Sequence, residues 1–181
     1  HEAMKFVMPV RQKIAEKTIF NLLVPHTNPC SAKKQVLGVY DKKLVKMFSN
    51  VAKNLDMKHV MIVHGDDGLD EISICAETTV SELKDNNISE YKISPKDYGL
   101  NLSSFDQIAA NSSHESLLLV NSAFNGESSA VQDMIALNSG AALYVASVVN
   151  SISDGVEMAF DCMNNGQAAQ KLADYVRVSN E

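Results

Sequence analysis

The strongest constraint on the fold is the stretch from residue 36 to residue 63, where two short apolar segments flank an amphipathic one. Residues 36–40 (VLGVY) form a short apolar segment with β-branched Val at two positions, which is typical of a strand. Asp41 then precedes apolar positions that recur on one helical face, and residues 60–63 (VMIV) form an unbroken apolar run. This order predicts a right-handed βαβ crossover between parallel strands.

The periodicity changes twice after this unit. Apolar residues alternate with polar ones from Ile72 to Ile93, with a turn signal at residues 85–87, which predicts strands and at least one antiparallel hairpin. After residues 128–129, 153 and 166 the apolar spacing is helical, so we expect three C-terminal helices packed against the sheet, with residues 121–130 as a flexible stretch. The predicted class is α/β, a mostly parallel sheet with at least one antiparallel hairpin and flanking helices.

Composition excludes several classes of protein. The formal net charge of -6 argues against general nucleic-acid binding, which depends on accumulated Lys and Arg. The apolar runs at residues 60–63 and 117–120 are far shorter than the roughly 20 residues that cross a bilayer, so we expect no membrane span. Three widely separated cysteines suit a reducing compartment, and we expect a cytoplasmic protein.

The densest polar cluster is HGDDGLDE at residues 64–71, directly after the predicted buried strand. Ligands of open α/β sheets bind beyond the carboxyl ends of the strands, and Mg²⁺ is usually held by one or two carboxylates together with phosphate oxygens. The four acidic residues in this stretch therefore suggest a divalent cation site. The alternative is a solvated acidic turn, because Gly and Asp are common turn residues.

Arg11 is the second candidate, since it lies among apolar residues of the first segment. A guanidinium can bind a carboxylate through two parallel hydrogen bonds, although a single Arg also commonly forms a structural ion pair. The five histidines show no metal-ligand spacing, and GxSxG, Walker, GxGxxG and HExxH motifs are absent from the sequence.

Several motifs follow one another along nearly the whole chain. They are HEAMK with PVR at residues 1–11, TIFNLL with TNP at 18–29, QVLGVY at 35–40, HG at 64–65, GLDE at 68–71 and NSGAALY at 138–144. With these motifs the chain resembles the second half of the anthranilate phosphoribosyltransferase family. The fold that the resemblance implies is that of the class II nucleoside phosphorylases, a small helical domain joined to a larger α/β domain. Residues 1–29 would then be a helical segment towards the helical domain, and residues 30–181 the α/β domain.

The resemblance also implies an activity. Such enzymes of tryptophan biosynthesis transfer the phosphoribosyl group of phosphoribosyl pyrophosphate to the amine of anthranilate, release pyrophosphate and use Mg²⁺. By resemblance, Arg11 would hold the anthranilate carboxylate, His1 would line the anthranilate channel, and Asp70 and Glu71 would bind Mg²⁺ on the pyrophosphate. The full-length protein would be a homodimer.

The family's glycine-rich phosphate loop would lie upstream of His1, so we expect this chain alone to be an inactive fragment, monomeric or non-natively associated. Val24 and His26 depart from the family's usual Gly-Pro-Leu, which leaves the nucleophile open. One rival is therefore a phosphoribosyltransferase or phosphorylase of the same fold with another nucleophile. The other is a non-catalytic paralogue that binds nucleic acid, which the net charge disfavours.

Overall fold

The computed structural model describes residues 5–6, 9–10, 13, 30–127 and 129–181. The chain divides into two compact units, His1–Ala32 and Lys33–Glu181. In the first unit the described residues between 5 and 13 are all helical. The second unit contains every strand and helix whose bounds are given below.

The element order and the parallel pairing of the predicted βαβ unit are confirmed. Strand β1 (Lys34–Gly38) leads into helix α1 (Lys43–Asn54), which leads into β2 (His59–Gly65), and β1 pairs with β2 in parallel. Asp41 Oδ1 accepts a hydrogen bond from the N–H of the first residue of α1, Lys43, at 2.9 Å. The apolar positions of α1 recur at helical spacing, so Val45, Phe48 and Ala52 are buried together on one face.

The predicted antiparallel hairpin is also confirmed. It consists of β3 (Thr78–Lys84) and β4 (Asn87–Ile93), joined by Asp85 and Asn86 with φ angles of 49° and 64°. Two consecutive positive φ angles are typical of the tight two-residue turns that match the twist of a hairpin, and Asp and Asn tolerate this conformation.

The sheet has the order β1-β2-β3-β4, and β2 pairs with β3 in the antiparallel direction. The α/β class is confirmed, but the described sheet is mixed rather than mostly parallel, because only the β1–β2 pair is parallel. The apolar run in β2 reflects burial of the whole strand: successive side chains point to opposite faces of the sheet, and the side chains on both faces are buried. Such burial says nothing about the direction of the neighbouring strands.

The expectation of a strand at Ile72 and Ile74 was wrong. Both side chains are fully buried, but no described strand includes these residues. Side chains bind the backbone of residues 72 and 73: the Ile72 N–H donates to Asn138 Oδ1 at 3.0 Å, and the Ser73 N–H donates to Thr78 Oγ1 at 2.9 Å. The Ile74 carbonyl accepts from the Ser103 N–H at 3.1 Å, and Ser103 lies outside the described strands. Residues 72–74 are all buried, and they belong to a loop that crosses the core.

Four helices follow the hairpin and two short 3₁₀ turns, Pro95–Tyr98 and Phe105–Gln107. They are α2 (Ser113–Phe124), α3 (Ser129–Ala146), α4 (Ile152–Asn164) and α5 (Gln167–Ser179). The three predicted C-terminal helices are α3, α4 and α5. Of these three helices, α3 makes the main contact with the sheet, whereas α4 packs on α3 and α5 packs on α4. Helix α2 was not predicted, and the stretch expected to be flexible contains its end and the start of α3. Within the described ranges, no helix combines the length and apolarity needed to cross a membrane.

Helices α3 and α4 touch at the backbone through two glycines. A Cβ added to Gly155 would lie 2.4 Å from the carbonyl O of Gly140, and one added to Gly140 would lie 2.6 Å from the backbone N of Val156. Neither position has room for a side chain, so the two glycines set how closely these helices approach each other.

A buried polar cluster joins the sheet to α3 at the end where β2 begins. Glu82 is only 7% exposed, and its carboxylate lies 2.7 Å from His59 Nε2 while accepting hydrogen bonds from the hydroxyls of Tyr91 (2.7 Å) and Tyr144 (2.9 Å). Burial alone would raise the pKa of Glu82, but the bonds from Tyr91, His59 and Tyr144 together outweigh it, and the pKa is lowered. The cluster therefore holds a charged carboxylate inside the fold.

Replacing Tyr91 with Phe should lower the free energy of unfolding by about 2 kcal/mol, because it removes a hydrogen bond to a buried charged group. Tyr98→Phe is the matched control: Tyr98 is also half-buried, but its hydroxyl makes no hydrogen bond among the described residues, so a change below about 0.5 kcal/mol is expected. Urea unfolding of both variants measures the difference. Equal effects would show that the Tyr91 hydroxyl bond adds no stability.

Candidate functional site

Residues 66–71, which carry the four carboxylates, form a tight loop after β2, called the acidic loop below. The Gly68 N–H donates to the Gly65 carbonyl at 2.8 Å, and the Gly65 N–H donates to the Leu69 carbonyl at 2.9 Å. The chain then passes over the end of β1, where a Cβ added to Gly38 would lie 1.5 Å from the carbonyl O of Asp70. Asp70 and Glu71 are thus placed at the carboxyl ends of the two parallel strands, the edge at which α/β sheets bind ligands.

The first two carboxylates of the loop are occupied by structural contacts. The carboxylate of Asp66 lies 2.8 Å from Lys92 Nζ and 2.9 Å from Lys42 Nζ. The hydrogen bond with Lys92, followed by that with Lys42, lowers the pKa of Asp66 to about 2. Asp67 accepts hydrogen bonds from Ser73 Oγ at 2.5 Å and from the Leu69 N–H at 3.3 Å. Asp66 is therefore neutralised by lysines, and Asp67 fixes the shape of the loop.

Asp70 and Glu71 differ from these two residues, since neither carboxylate has a hydrogen bond or an ion pair with another described residue. Both residues are exposed. The pKa of Glu71 is raised, first by partial loss of hydration and second by the negative charge of Asp70. The two neighbouring carboxylates thus repel each other, and no described cation compensates them.

This pair has the chemistry that Mg²⁺ requires of a protein. Mg²⁺ is usually bound by one or two carboxylates and takes its other oxygens from water and substrate phosphates. In the described part of the chain, no group of three or more His, Cys, Asp or Glu side chains could enclose a metal ion. Two adjacent carboxylates suit an ion that takes its remaining ligands from water and phosphate oxygens.

A cavity of about 540 Å³ lies beside the loop, between residues 105–110 and helices α2 and α3. Glu71, Leu69 and Asn138 line it together with apolar residues such as Phe105 and Met134. Asp70 does not line this cavity, so only one member of the carboxylate pair borders it.

Sequence reasoning assigned no role to Asn138, which binds the same loop from α3. Its Nδ2 donates to the Ile72 carbonyl at 2.8 Å, and its Oδ1 accepts from the Ile72 N–H at 3.0 Å. The only signal in the sequence was its place at the start of the NSGAALY motif. A motif does not show which backbone segment a side chain will bind.

With this geometry established, comparison with known proteins identifies the family. A family model described as glycosyl transferase family, a/b domain, matches residues 1–169. The chain belongs to this family. The matched residues of the family model extend over both compact units and include the acidic loop and α3.

Among members of the glycosyl transferase family, the chain is 47% identical over 181 residues to an anthranilate phosphoribosyltransferase of Ruthia magnifica subsp. Calyptogena magnifica, covering 100% of this chain and 53% of the relative. A solved anthranilate phosphoribosyltransferase of Thermus thermophilus is 31% identical with a TM-score of 0.87, covering 98% of this chain and 52% of that one. The resemblance stated from the motifs is confirmed. The chain spans about half the length of the curated relatives that it matches.

A third similar protein is the anthranilate phosphoribosyltransferase of Saccharomyces cerevisiae, solved in complex with PRPP and Mg. It is 24% identical with a TM-score of 0.86, and the match covers 100% of this chain and 53% of the yeast chain. At this identity the likeness shows the fold, which agrees with the class expected from the sequence.

The other residues singled out in the sequence lie outside the described residues. They are His1 and Arg11, expected to contact anthranilate, and Val24 and His26, the two departures from the family pattern. Their roles stay predictions.

Proposed function

We propose that the complete protein to which this chain belongs transfers the phosphoribosyl group of phosphoribosyl pyrophosphate to the amine of anthranilate and releases pyrophosphate. The observation that carries the proposal is the uncompensated pair Asp70–Glu71 at the ligand-binding edge of the sheet, in a chain whose relatives carry the name of this activity. A pyrophosphate leaving group needs positive charge, and this pair can recruit it.

Asp70 and Glu71 would hold Mg²⁺ on the pyrophosphate of the substrate. When bound, the ion would neutralise charge that develops on the departing pyrophosphate. The chain's own contribution is to keep these carboxylates available: Lys42 and Lys92 are paired with Asp66, so they do not neutralise the metal-binding pair. The yeast relative is solved with PRPP and Mg, which supports the use of Mg²⁺ with this substrate.

The remaining parts of the proposal rest on the family resemblance. Arg11 would bind the anthranilate carboxylate through its two-pronged guanidinium, and His1 would line the anthranilate channel. Residues 1–29 would form a helical segment towards a helical domain, and residues 30–181 would form the α/β domain. The complete protein would act as a homodimer in the cytoplasm.

The decisive test of the activity uses the complete protein with phosphoribosyl pyrophosphate, Mg²⁺ and anthranilate. Loss of anthranilate fluorescence that depends on all three components is the expected result. Pyrophosphate release with another amine, together with stable anthranilate fluorescence, would instead favour the rival transferase of the same fold. Absence of any pyrophosphate release would contradict the proposed reaction class.

Replacing Arg11 with Lys in the complete protein should raise the KM for anthranilate by about tenfold, while the KM for phosphoribosyl pyrophosphate changes by less than about twofold. Lysine keeps the positive charge but loses the second parallel hydrogen bond to a carboxylate. Steady-state kinetics with each substrate varied in turn measures both constants.

The alternative for Arg11 is a structural ion pair with Glu2 or Glu16. If both KM values and kcat of Arg11→Lys stay within about twofold of the wild type, Arg11 is not a substrate ligand. An Arg11→Ala variant with a lowered melting temperature and equal losses for both substrates would support the ion pair.

A further inference from the structure

The side chain of Asn138 binds the backbone next to the acidic loop in the way that a neighbouring β-strand would. We propose that Asn138 is a positioning residue for Asp70 and Glu71, an inference that rests on the proposed function. It does so by holding the backbone that follows Glu71, without contacting either carboxylate.

The contact is a two-way clamp on one residue. Asn138 Oδ1 accepts from the Ile72 N–H at 3.0 Å, and Asn138 Nδ2 donates to the Ile72 carbonyl at 2.8 Å. This is the exchange of hydrogen bonds that a neighbouring strand would provide. Since Ile72 is fully buried, losing the clamp would leave a backbone donor and acceptor unpaired in the interior, which is costly.

The clamp reaches Glu71 through covalent geometry. The Ile72 N–H belongs to the planar peptide unit that contains the carbonyl of Glu71, so fixing this N–H fixes the plane on one side of Glu71. On the other side, the carbonyl of Asp70 fits against Gly38, where a side chain would collide. The peptide units on both sides of Glu71 are therefore held in place, and the first of them is also the unit that follows Asp70.

Backbone control matters because the carboxylates have no other described support. Neither Asp70 nor Glu71 makes a side-chain hydrogen bond or ion pair with another described residue, whereas Asp66 and Asp67 do. Residues that orient metal ligands typically change metal affinity by about 10–100-fold when they are removed. Here the orienting contact acts on the main chain.

Asn138 is itself held in place. Its Nδ2 also donates to the Met134 carbonyl one turn earlier in α3, at 3.0 Å, which orients the carboxamide. Two residues later in the same helix, Gly140 lies against Gly155 of α4, so α3 has little freedom to shift.

The test compares Asn138→Ala and Asn138→Leu with the wild type in the complete protein. Ala removes the carboxamide, and Leu removes its bonds at a similar volume, so a shared effect reports the bonds rather than a cavity. The Mg²⁺ concentration at half-maximal velocity should rise by about tenfold, while the KM for anthranilate changes by less than about twofold.

Gln132→Ala is the matched control. Gln132 lies in the same helix, and its Nε2 donates to the Ala123 carbonyl at 2.9 Å and to Asn164 Oδ1 at 3.1 Å, away from the acidic loop. This variant should lose stability but keep the wild-type Mg²⁺ requirement. A half-saturating Mg²⁺ concentration within about twofold of the wild type in the Asn138 variants, or the same rise in Gln132→Ala, would overturn the proposal.

A binding measurement separates this inference from the proposed reaction. Mn²⁺ binding in the presence of inorganic pyrophosphate, followed by electron paramagnetic resonance, should weaken by about tenfold in the Asn138 variants. If the wild type does not transfer to anthranilate but this loss is seen, the proposed function fails and the positioning role stands. If Ala and Leu do not fold, Asn138→Ser, which keeps a small polar side chain at this position, should weaken Mn²⁺ binding in the same direction, and unchanged binding would refute the role.

Discussion

Asp70→Asn or Glu71→Gln in the complete protein should reduce kcat/KM for phosphoribosyl pyrophosphate by about 100-fold, which corresponds to about 2.7 kcal/mol of transition-state stabilisation. Each change removes one negative charge from a pair that has no described cationic partner, and so weakens the attraction for a divalent cation. Steady-state kinetics at several Mg²⁺ concentrations measures the loss. Added Mg²⁺ should not restore full activity, because the ion would no longer be held in one position.

Asp85→Asn is the control for these two variants. It makes the same charge change in the turn between β3 and β4, at the opposite end of the sheet from the acidic loop, and Asn tolerates the φ of 49° there. We expect kcat/KM within about threefold of the wild type. If Asp85→Asn is as damaging as the other two, the net charge of the protein matters rather than the position of Asp70 and Glu71.

Gly38→Ala should lower the free energy of unfolding by about 3 kcal/mol or more, near or above the upper end of the usual cost of overpacking. The added methyl would overlap the carbonyl of Asp70, which is backbone and cannot rotate away. Part of the strain would be relieved by displacement of the acidic loop, so the variant that remains folded should also lose activity. Urea unfolding and kinetics on the same preparation measure both effects.

Gly99→Ala provides the comparison for Gly38→Ala. No atom lies within 4 Å of a Cβ added to Gly99, but its φ of +73° is unfavourable for Ala, so a cost of about 1 kcal/mol is expected with activity unchanged. Equal stability of Gly38→Ala and the wild type would contradict the close approach of the loop to β1.

The βαβ unit and the hairpin could be predicted because their signals are local. The alternation in β3 and the turn at Asp85 and Asn86 lie within a few residues of each other. The same alternation misled at Ile72 and Ile74, which are buried like strand residues but whose hydrogen-bond partners are a side chain of α3 and a loop N–H rather than a neighbouring strand. A period of two in the sequence does not identify what the backbone binds.

Helix α2 escaped prediction for a different reason. Its apolar residues do not form one buried stripe: Leu117 and Leu118 are 48% and 55% exposed, and only Ala123 in this helix is fully buried. Its start is marked instead by Ser112, whose side chain accepts from the Glu115 N–H. A capping signal, rather than periodicity, would have found this helix.

The acidic loop could be located from the sequence, but the sequence does not show which of its carboxylates are paired with lysines and which are free to bind a cation. Four carboxylates stand within six residues, and spacing does not distinguish them. The lysines that neutralise Asp66 come from positions 42 and 92, on either side of the loop in the sequence. Only the fold brings these lysines together, and thereby leaves Asp70 and Glu71 as the uncompensated pair.

The contact between Gly140 and Gly155 limits how this protein can be engineered for heat resistance. Exchanging helical Gly for Ala is a common stabilising substitution, worth up to about 1 kcal/mol where the site has room. In α3 and α4 the added methyl would meet backbone atoms 2.4 to 2.6 Å away. Thermostability libraries should therefore keep both glycines fixed and vary exposed positions of α5 instead, where a new side chain meets solvent.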